Sequence, residues 1–463
     1  MCLSSAEKRK QMTSFNRRFT YFRFLRIILI CAGGILLGLS CEKQSTPVQP
    51  LNPQLTLNVE AGVIEAWLTV TTGEAEGMEL LLTRDGAERL RFSAVAETTV
   101  VDTGLLPARG YSYTALLQQA GQTVKQTSAS LATMDTTSHN FSWTIDTVGI
   151  FGSLLFDVAI INENDIWAVG DIQHFDSTGQ LISYNAVHWD GQQWELKQIP
   201  VKAFPNSNST IIAALQSIIV FDTNDIFVTT GGQVIRYDGN NWGQWIFLWT
   251  DLHDTTFGGI NKFWGTNNTD LWGAGDKGNI FHFDGNNWQR IESGTDILLR
   301  DISGFYDPAT GEEKIYASGF SSDFQEGVVL RKSGGQWEVL DNGVDGQLSS
   351  LYYNNFASVW TYQSNVFYVT AFNRVYKVAA LNDRQYDVSL MLENENGIYR
   401  IRGSACNNIF VVGDRVKLKH FNGINWRHFS EFDALISMDC LDVKDDIIVA
   451  ADLGIIITGR RSN

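Results

Sequence analysis

Basic charge, cysteine, proline and long apolar runs are all scarce in this chain. Its 463 residues carry 35 Lys and Arg against 51 Asp and Glu, a formal net charge of −16. That balance excludes nucleic acid as a partner, because phosphates demand a basic surface. It would also repel anionic lipid, so any membrane attachment has to be covalent or apolar. The five cysteines include no CxxC pair and no Cys/His cluster, which leaves a structural zinc site without support. Seven histidines show no ligand spacing, and no GxSxG, HExxH or phosphate-binding loop occurs. What is abundant points to strands. Against only 7 Pro stand 41 Gly, 14 Trp, 27 Phe and 14 Tyr, a balance that suits aromatic strands joined by Gly/Asn/Asp turns.

The N-terminus reads as an address. Arg17, Arg18, Arg23 and Arg26 precede an apolar run, Ile27–Leu39, that is too short to span a bilayer and ends at Ser40-Cys41. This resembles a bacterial lipoprotein signal, which implies removal of residues 1–40 and lipidation of Cys41. Several acyl chains there would hold the protein on a membrane stably. Gly38 departs from the pattern, since Leu is usual three residues before the cysteine; an uncleaved anchor or an unlipidated Cys41 is the competing reading. Processing would remove seven basic residues and one acid, leaving 28 basic and 50 acidic side chains, or −22. Residues 41–53 are polar and Pro-bearing, a flexible tether. Cys406 and Cys440 then remain, and their different offsets within the repeats favour two buried thiols over a disulfide.

Residues 54–135 hold seven short alternating strands broken by Gly, Asp and Pro, the pattern of an Ig-like sandwich. The segment DTGLLPARGYSYTA (Asp102–Ala115) resembles the E–F region of fibronectin type III domains, and Trp67 stands where that family places its buried strand-B tryptophan. A spacer role is expected of it.

Residues 136–463 keep rewriting one unit. Thr269–Trp288 reads TDLWGAGDKGNIFHFDGNNW; sister copies lie at Asn164–Trp194, Asn224–Trp242 and Asn407–Trp426. Tryptophans near the hairpin (Trp143, Trp194, Trp242, Trp288, Trp337, Trp426) recur at intervals of 51, 48, 46, 49 and 89 residues, with Tyr386 filling the long gap. Second strands begin at Asp165, Asp225, Asp270, Lys314, Asn365, Asn408 and Asp446. The two series are out of phase: Phe141–Gly149 is a fourth strand with no unit before it, and Leu435–Gly459 has three strands and no fourth. Repeats of this length predict an all-β fold, a seven-bladed β-propeller closed by its N-terminal outer strand. The Asp-Gly turn and its Trp read as architecture rather than a sugar-binding device. They resemble the Asp-box of sialidases loosely, because the usual Ser/Thr two positions before the Asp is missing.

Two features are candidates for binding. The residues ending the second strands form a rung that includes Asp171, Asp276, Asp414 and Asp452, hard oxygens suited to Ca²⁺ or a polyol; simple turn formation through Asx hydrogen bonds is the rival account. Insertions at 172–185, 201–212 and 248–259 carry His174, Phe175, Tyr184, Phe204, Trp249 and His253, the aromatic and polar mixture that recognition loops use. No catalytic residue is assigned, since a sialidase arginine triad cannot be placed and no vicinal cysteines suit a quinoprotein.

As a whole the chain resembles envelope lipoproteins of Bacteroidetes-like bacteria, and its G-x-x-W hairpins resemble those of photosystem assembly-factor propellers. The resemblance implies fold and a lipid-anchored location in the cell envelope, at the outer membrane and facing either periplasm or surface, with the sequence leaving membrane and leaflet open. The expected function is non-catalytic binding of a protein or glycan partner by a monomer. A carbohydrate-active enzyme using the rung carboxylates is the alternative.

Overall fold

Turn chemistry sets the register of each repeat. In the hairpins before the fourth strands, Asp190, Asp238, Asp284 and Asn422 each accept two backbone N–H bonds from the residues two and three positions on, at 2.7–3.1 Å. The glycine between is left-handed every time, as at Gly239 (φ 89°), where a side chain would be strained. The first residue of the second strand is equally constrained. Asp165, Asp270 and Asn408 accept from the third-strand imidazoles of His188, His282 and His420 at 2.8, 2.9 and 3.1 Å, while Asp225 accepts from Arg236 at 2.8 Å. Each of those rings stacks on a second-strand aromatic: Trp167, Trp272 and Phe410 lie 4.0–4.4 Å away. The repeated histidines are therefore parts of the repeat, as their common position predicts.

The computed structural model describes residues 53–462 apart from 74, 252–257, 309, 343–347, 349–354, 383–384 and 416–417. Seven four-stranded antiparallel sheets follow one another from residue 141 onward. Their first strands are Leu154–Asn162, Ser217–Asp222, Ile260–Asn267, Leu299–Asp307, Ser358–Gln363, Ile398–Ala405 and Cys440–Lys444. Each lies against the next, and the seventh lies against the first, so the sheets close a ring. Second strands such as Val366–Ala371 and Asn408–Gly413 are buried throughout, covered on both faces by neighbouring sheets.

The ring is sealed by hydrogen bonding across the whole chain. Phe141–Thr147 pairs with Ile455–Arg461 as the fourth strand of the last sheet, which the phase offset in the sequence predicts. Fourth-strand tryptophans bridge sheets: Trp194 donates to Asp146 at 3.2 Å, Trp426 to the Met391 carbonyl at 3.1 Å, and Trp337 meets Trp272 at 5.9 Å. Cys406 and Cys440 are buried free thiols.

Before the ring, Leu55–Ala61, Glu65–Thr72 and Glu97–Thr103 form one sheet. Glu79–Arg84, Ala87–Ser93, Gly110–Gln119 and Gln122–Ala132 form a second, packed on it through Leu68, Val70, Leu80, Leu82, Tyr113 and Leu117.

Trp67 is buried but stays out of that core: its strand alternates, so Ala66 and Leu68 point inward while Trp67 points at the ring. There it packs among Trp360, Val366 and Tyr368 of the fifth sheet. Around it Lys377 pairs with Glu65 at 2.6 and 2.5 Å, Ser364 donates to Glu60 at 3.3 Å, and Val63 abuts Gly423. The sandwich is thus fixed to the fifth and sixth sheets, and residues 52–463 form one compact unit. Among the described residues no helix is long and apolar enough to cross a membrane.

Candidate functional site

The first strands line the axis of the ring, and two levels of side chains meet there. The deeper level is charged and saturated. Asp301 is fully buried and is gripped by both terminal nitrogens of Arg402, at 2.8 and 2.6 Å. It also accepts the Ser358 hydroxyl and the N–H groups of Ile302 and Val359. Burial alone would raise its pKa, but Arg402 and Arg400 outweigh it and hold the carboxyl at about 2. Asp157 accepts Ser217 at 2.6 Å, the Val158 and Ile218 N–H groups at 3.0 Å, and Lys262. Asp442 accepts the Ile160 and Val443 N–H groups at 2.8 and 2.9 Å, with burial pushing its pKa up. The ion pairs Lys262–Asp157 and Arg402–Asp301 each join the inner strands of non-adjacent sheets, and these buried side chains form a charged plug.

Above the plug the ring opens into a cavity of about 1000 Å³. Each inner strand, or the turn entering it, contributes at least one residue to its wall: Phe156, Gln216, Asn261, Arg300, Ala357, Arg400 and Asp439 among them. The loops joining second to third strands and fourth to first strands complete it, with Phe320, Phe324, Phe372 and Tyr399 supplying aromatic surface. Phe324, Phe372 and Tyr399 are 59%, 45% and 36% exposed. Arg300 stacks on the Phe320 ring, its guanidinium carbon 4.0 Å from the centroid. Burial and then the neighbouring Arg400 lower the Arg300 pKa, against the pull of Asp439 and Asp276. Its Nε is buried without an acceptor. Burial also opposes the charge of Arg400, but Asp301 and then Asp439 raise its pKa and keep it protonated. Tyr399 is pushed up by burial and by Asp414, Asp439 and Asp452.

A second cavity of about 620 Å³ adjoins the first and shares Gln216, Asn261 and Asp276 with it. Thr230, Trp249 and four glycines complete its lining. Gly231 is left-handed (φ 92°), and a Cβ on Gly259 would strike the Gly231 backbone at 2.7 Å, so this wall is bare main chain.

The rung of aspartates does not assemble as one site. Asp276 and Asp414 line the large cavity, whereas Asp171 and Asp452 do not. Asp171 does not end its strand, which runs on to Phe175, and it accepts the Gln173 amide at 3.0 Å. Asp452 is buried and accepts Ser437 at 2.8 Å. Among the described residues no group of three or more His, Cys, Asp or Glu could hold a metal ion. Of the loop candidates, Trp249 lines the smaller cavity. His174, Phe175 and Phe204 are exposed elsewhere, and Tyr184 packs on the core between the first and seventh sheets. His253 and Cys41 lie outside the described residues.

Sequence reasoning passed over Arg300, Arg400, Asp439 and Tyr399. Their signal was available: RDISG (300–304), YRIRGS (399–404) and DCLDVK (439–444) place charge within or at the start of first strands that are otherwise largely apolar.

No known family profile matches the sequence, and no curated protein matches it. Solved structures do resemble it. YCF48 bound to D1 peptide aligns at 14% identity with a TM-score of 0.51, over 69% of this chain and 96% of that one. Virginiamycin B lyase from Staphylococcus aureus aligns at 9% identity and 0.43, over 70% and 100% of the two chains. The extracellular domain of the putative one component system BT4673 from B. thetaiotaomicron aligns at 11% and 0.45, over 70% and 40%. At such identities the likeness speaks of fold alone: an all-β chain whose ring of sheets is a β-propeller.

Proposed function

We propose that this chain is a non-catalytic binding protein of the cell envelope, lipid-anchored at Cys41, whose propeller mouth recognises a protein or glycan partner. In this reading the ring is a seven-bladed propeller and the first two sheets are a fibronectin type III-like module. The seven ring sheets and the strand order of the module support that assignment. The observation that carries the function is the mouth itself. It is open, rimmed by exposed aromatics, and floored by buried, hydrogen-bonded ion pairs. One fold neighbour is described as bound to a peptide, a precedent for such use of a propeller.

Capture from an envelope extract tests this. The full chain should retain a partner that the Phe324→Ala/Tyr399→Ala variant loses; equal recovery by both would overturn the assignment. Labelling with a clickable fatty acid should mark the wild type and spare Cys41→Ser.

A carbohydrate-active enzyme is the second reading, favoured by one observation: Asp276 and Asp414 share the large cavity. It requires oligosaccharide cleavage that is abolished by Asp276→Asn and by Asp414→Asn alike.

A further inference from the structure

The smaller cavity differs in chemistry from the mouth it adjoins. The mouth has four phenylalanines together with Leu298 and Ile398 in its wall. The smaller cavity has a single apolar side chain, Trp249, which is 39% exposed. Everything else facing it is hydroxyl, amide, carboxylate or glycine backbone. An apolar peptide side chain would find no aliphatic wall there. A sugar ring would find what it needs: one aromatic face for its C–H surface, and closely spaced polar groups for its hydroxyls.

The polar groups are partly held in place already. Asn261 donates to Asp276 at 2.9 Å and to the Leu299 carbonyl at 3.2 Å, which orients the carboxylate of this exposed residue. Gln216 and Thr230 also line the cavity; they stand just before the first strand and just after the second strand of the second sheet. Close packing of Gly259 on Gly231 keeps the floor free of side chains, and Trp249 lies 4.0 Å from where a Cβ on Gly232 would stand. The volume, about 620 Å³, falls in the range of small-molecule sites.

We propose that this cavity is a carbohydrate subsite, in which a pyranose residue of an oligosaccharide lies on Trp249 and hydrogen-bonds to Asp276, Gln216 and Thr230. The inference rests on reading that face of the ring as a binding surface, and it names the class of ligand. Because the two cavities share Gln216, Asn261 and Asp276, the rest of the oligosaccharide chain extends into the mouth.

The test is binding of the full chain to an array of defined neutral and acidic oligosaccharides, followed by titration of the best-retained one with intrinsic tryptophan fluorescence. Trp249→Ala should weaken that binding at least tenfold and Asp276→Asn several-fold, with unfolding midpoints unchanged. Trp249→Phe should restore part of it, which separates a stacking role from a merely structural one. The proposal is overturned if the full chain retains no oligosaccharide, or if Trp249→Ala binds as the wild type does. It is also overturned if binding is lost on Phe324→Ala but kept in Trp249→Ala. In that last case the mouth remains a binding site and only the sugar subsite fails; if instead a protein partner is captured and no sugar binds, the same separation holds.

Discussion

Adjacent residues on the inner strands of this ring treat polarity in opposite ways. Asp157, Ser217, Lys262, Asp301 and Ser358 face the axis at one level and are bonded to neighbouring sheets. Their immediate predecessors Phe156, Gln216, Asn261, Arg300 and Ala357 face the mouth, and there Arg300 stacks on a ring with its Nε unmatched. Pairing irregularities at 260–262, 299–301 and 398–400 let consecutive residues serve these two levels. Water-excluded charge must be paired or it costs several kcal/mol, whereas charge at a mouth can wait for a ligand. Where polar groups are fully satisfied they hold the ring together; where they are not, they are available for recognition.

The hardest test of this contrast is to empty the plug. Asp301→Ala strands Arg402 and should cost about 3–5 kcal/mol in denaturant unfolding. Replacing both partners by apolar residues, as in Asp301→Leu/Arg402→Met, should recover most of that loss; if it does not, the plug is not an ion-pair device. Next in size is the junction with the sandwich. Trp67→Ala should cost roughly 3 kcal/mol. It should also speed protease cleavage in the linker at 134–140, with two unfolding transitions in place of one. The isolated ring, residues 136–463, would expose the same apolar patch around Trp360 and Tyr368 and should be less soluble than the whole chain.

Acid should sharpen the comparison further. The Asp301 carboxyl titrates lower in the folded chain, at about 2, than its ordinary value of 3.8. Its contribution to stability is therefore present above pH 4 and lost as pH falls from 4 towards 2, an effect of about 2 kcal/mol. Asp442 works the other way. Burial raises its folded pKa, so its charge is a cost that acid relieves, and Asp442→Asn should be far milder at pH 7 than Asp301→Asn. Urea unfolding at pH 7, 4 and 2.5 separates the two. Smallest of all, Phe324→Ala and Glu395→Ala, two residues of the large cavity's wall, should change stability by no more than about 0.5 kcal/mol. A large loss there would mean that the mouth is structural too.

Much of the ring was legible in the sequence. The turn Asp190-Gly191 and its copies recur, and repetition turns a weak local signal into a strong one. The orphan strand Phe141–Thr147 could be assigned its partner because the phase of the repeats left one place empty. The mouth was harder to see, for a physical reason. Ring closure decides which second-strand ends share a cavity, so Asp276 and Asp414 meet there while Asp171, in an extended hairpin, does not. What covers Trp67 was hidden for a related reason. Alternation says that it and Leu68 point opposite ways, but only the docked ring shows that both ways are buried.

The seal between Phe141–Thr147 and Ile455–Arg461 also sets a timetable. The first of these strands leaves the ribosome some 300 residues before its partner exists. At ~5–20 residues per second it waits roughly 15–60 s as a bare edge. Loop length itself adds little to the cost of closure, since that grows only logarithmically. The hazard is kinetic: an unpaired β-edge is a template for any other strand nearby. Folding of this ring is thus committed last, at its final seven-residue strand, and truncation there would leave the first sheet with an open neighbour.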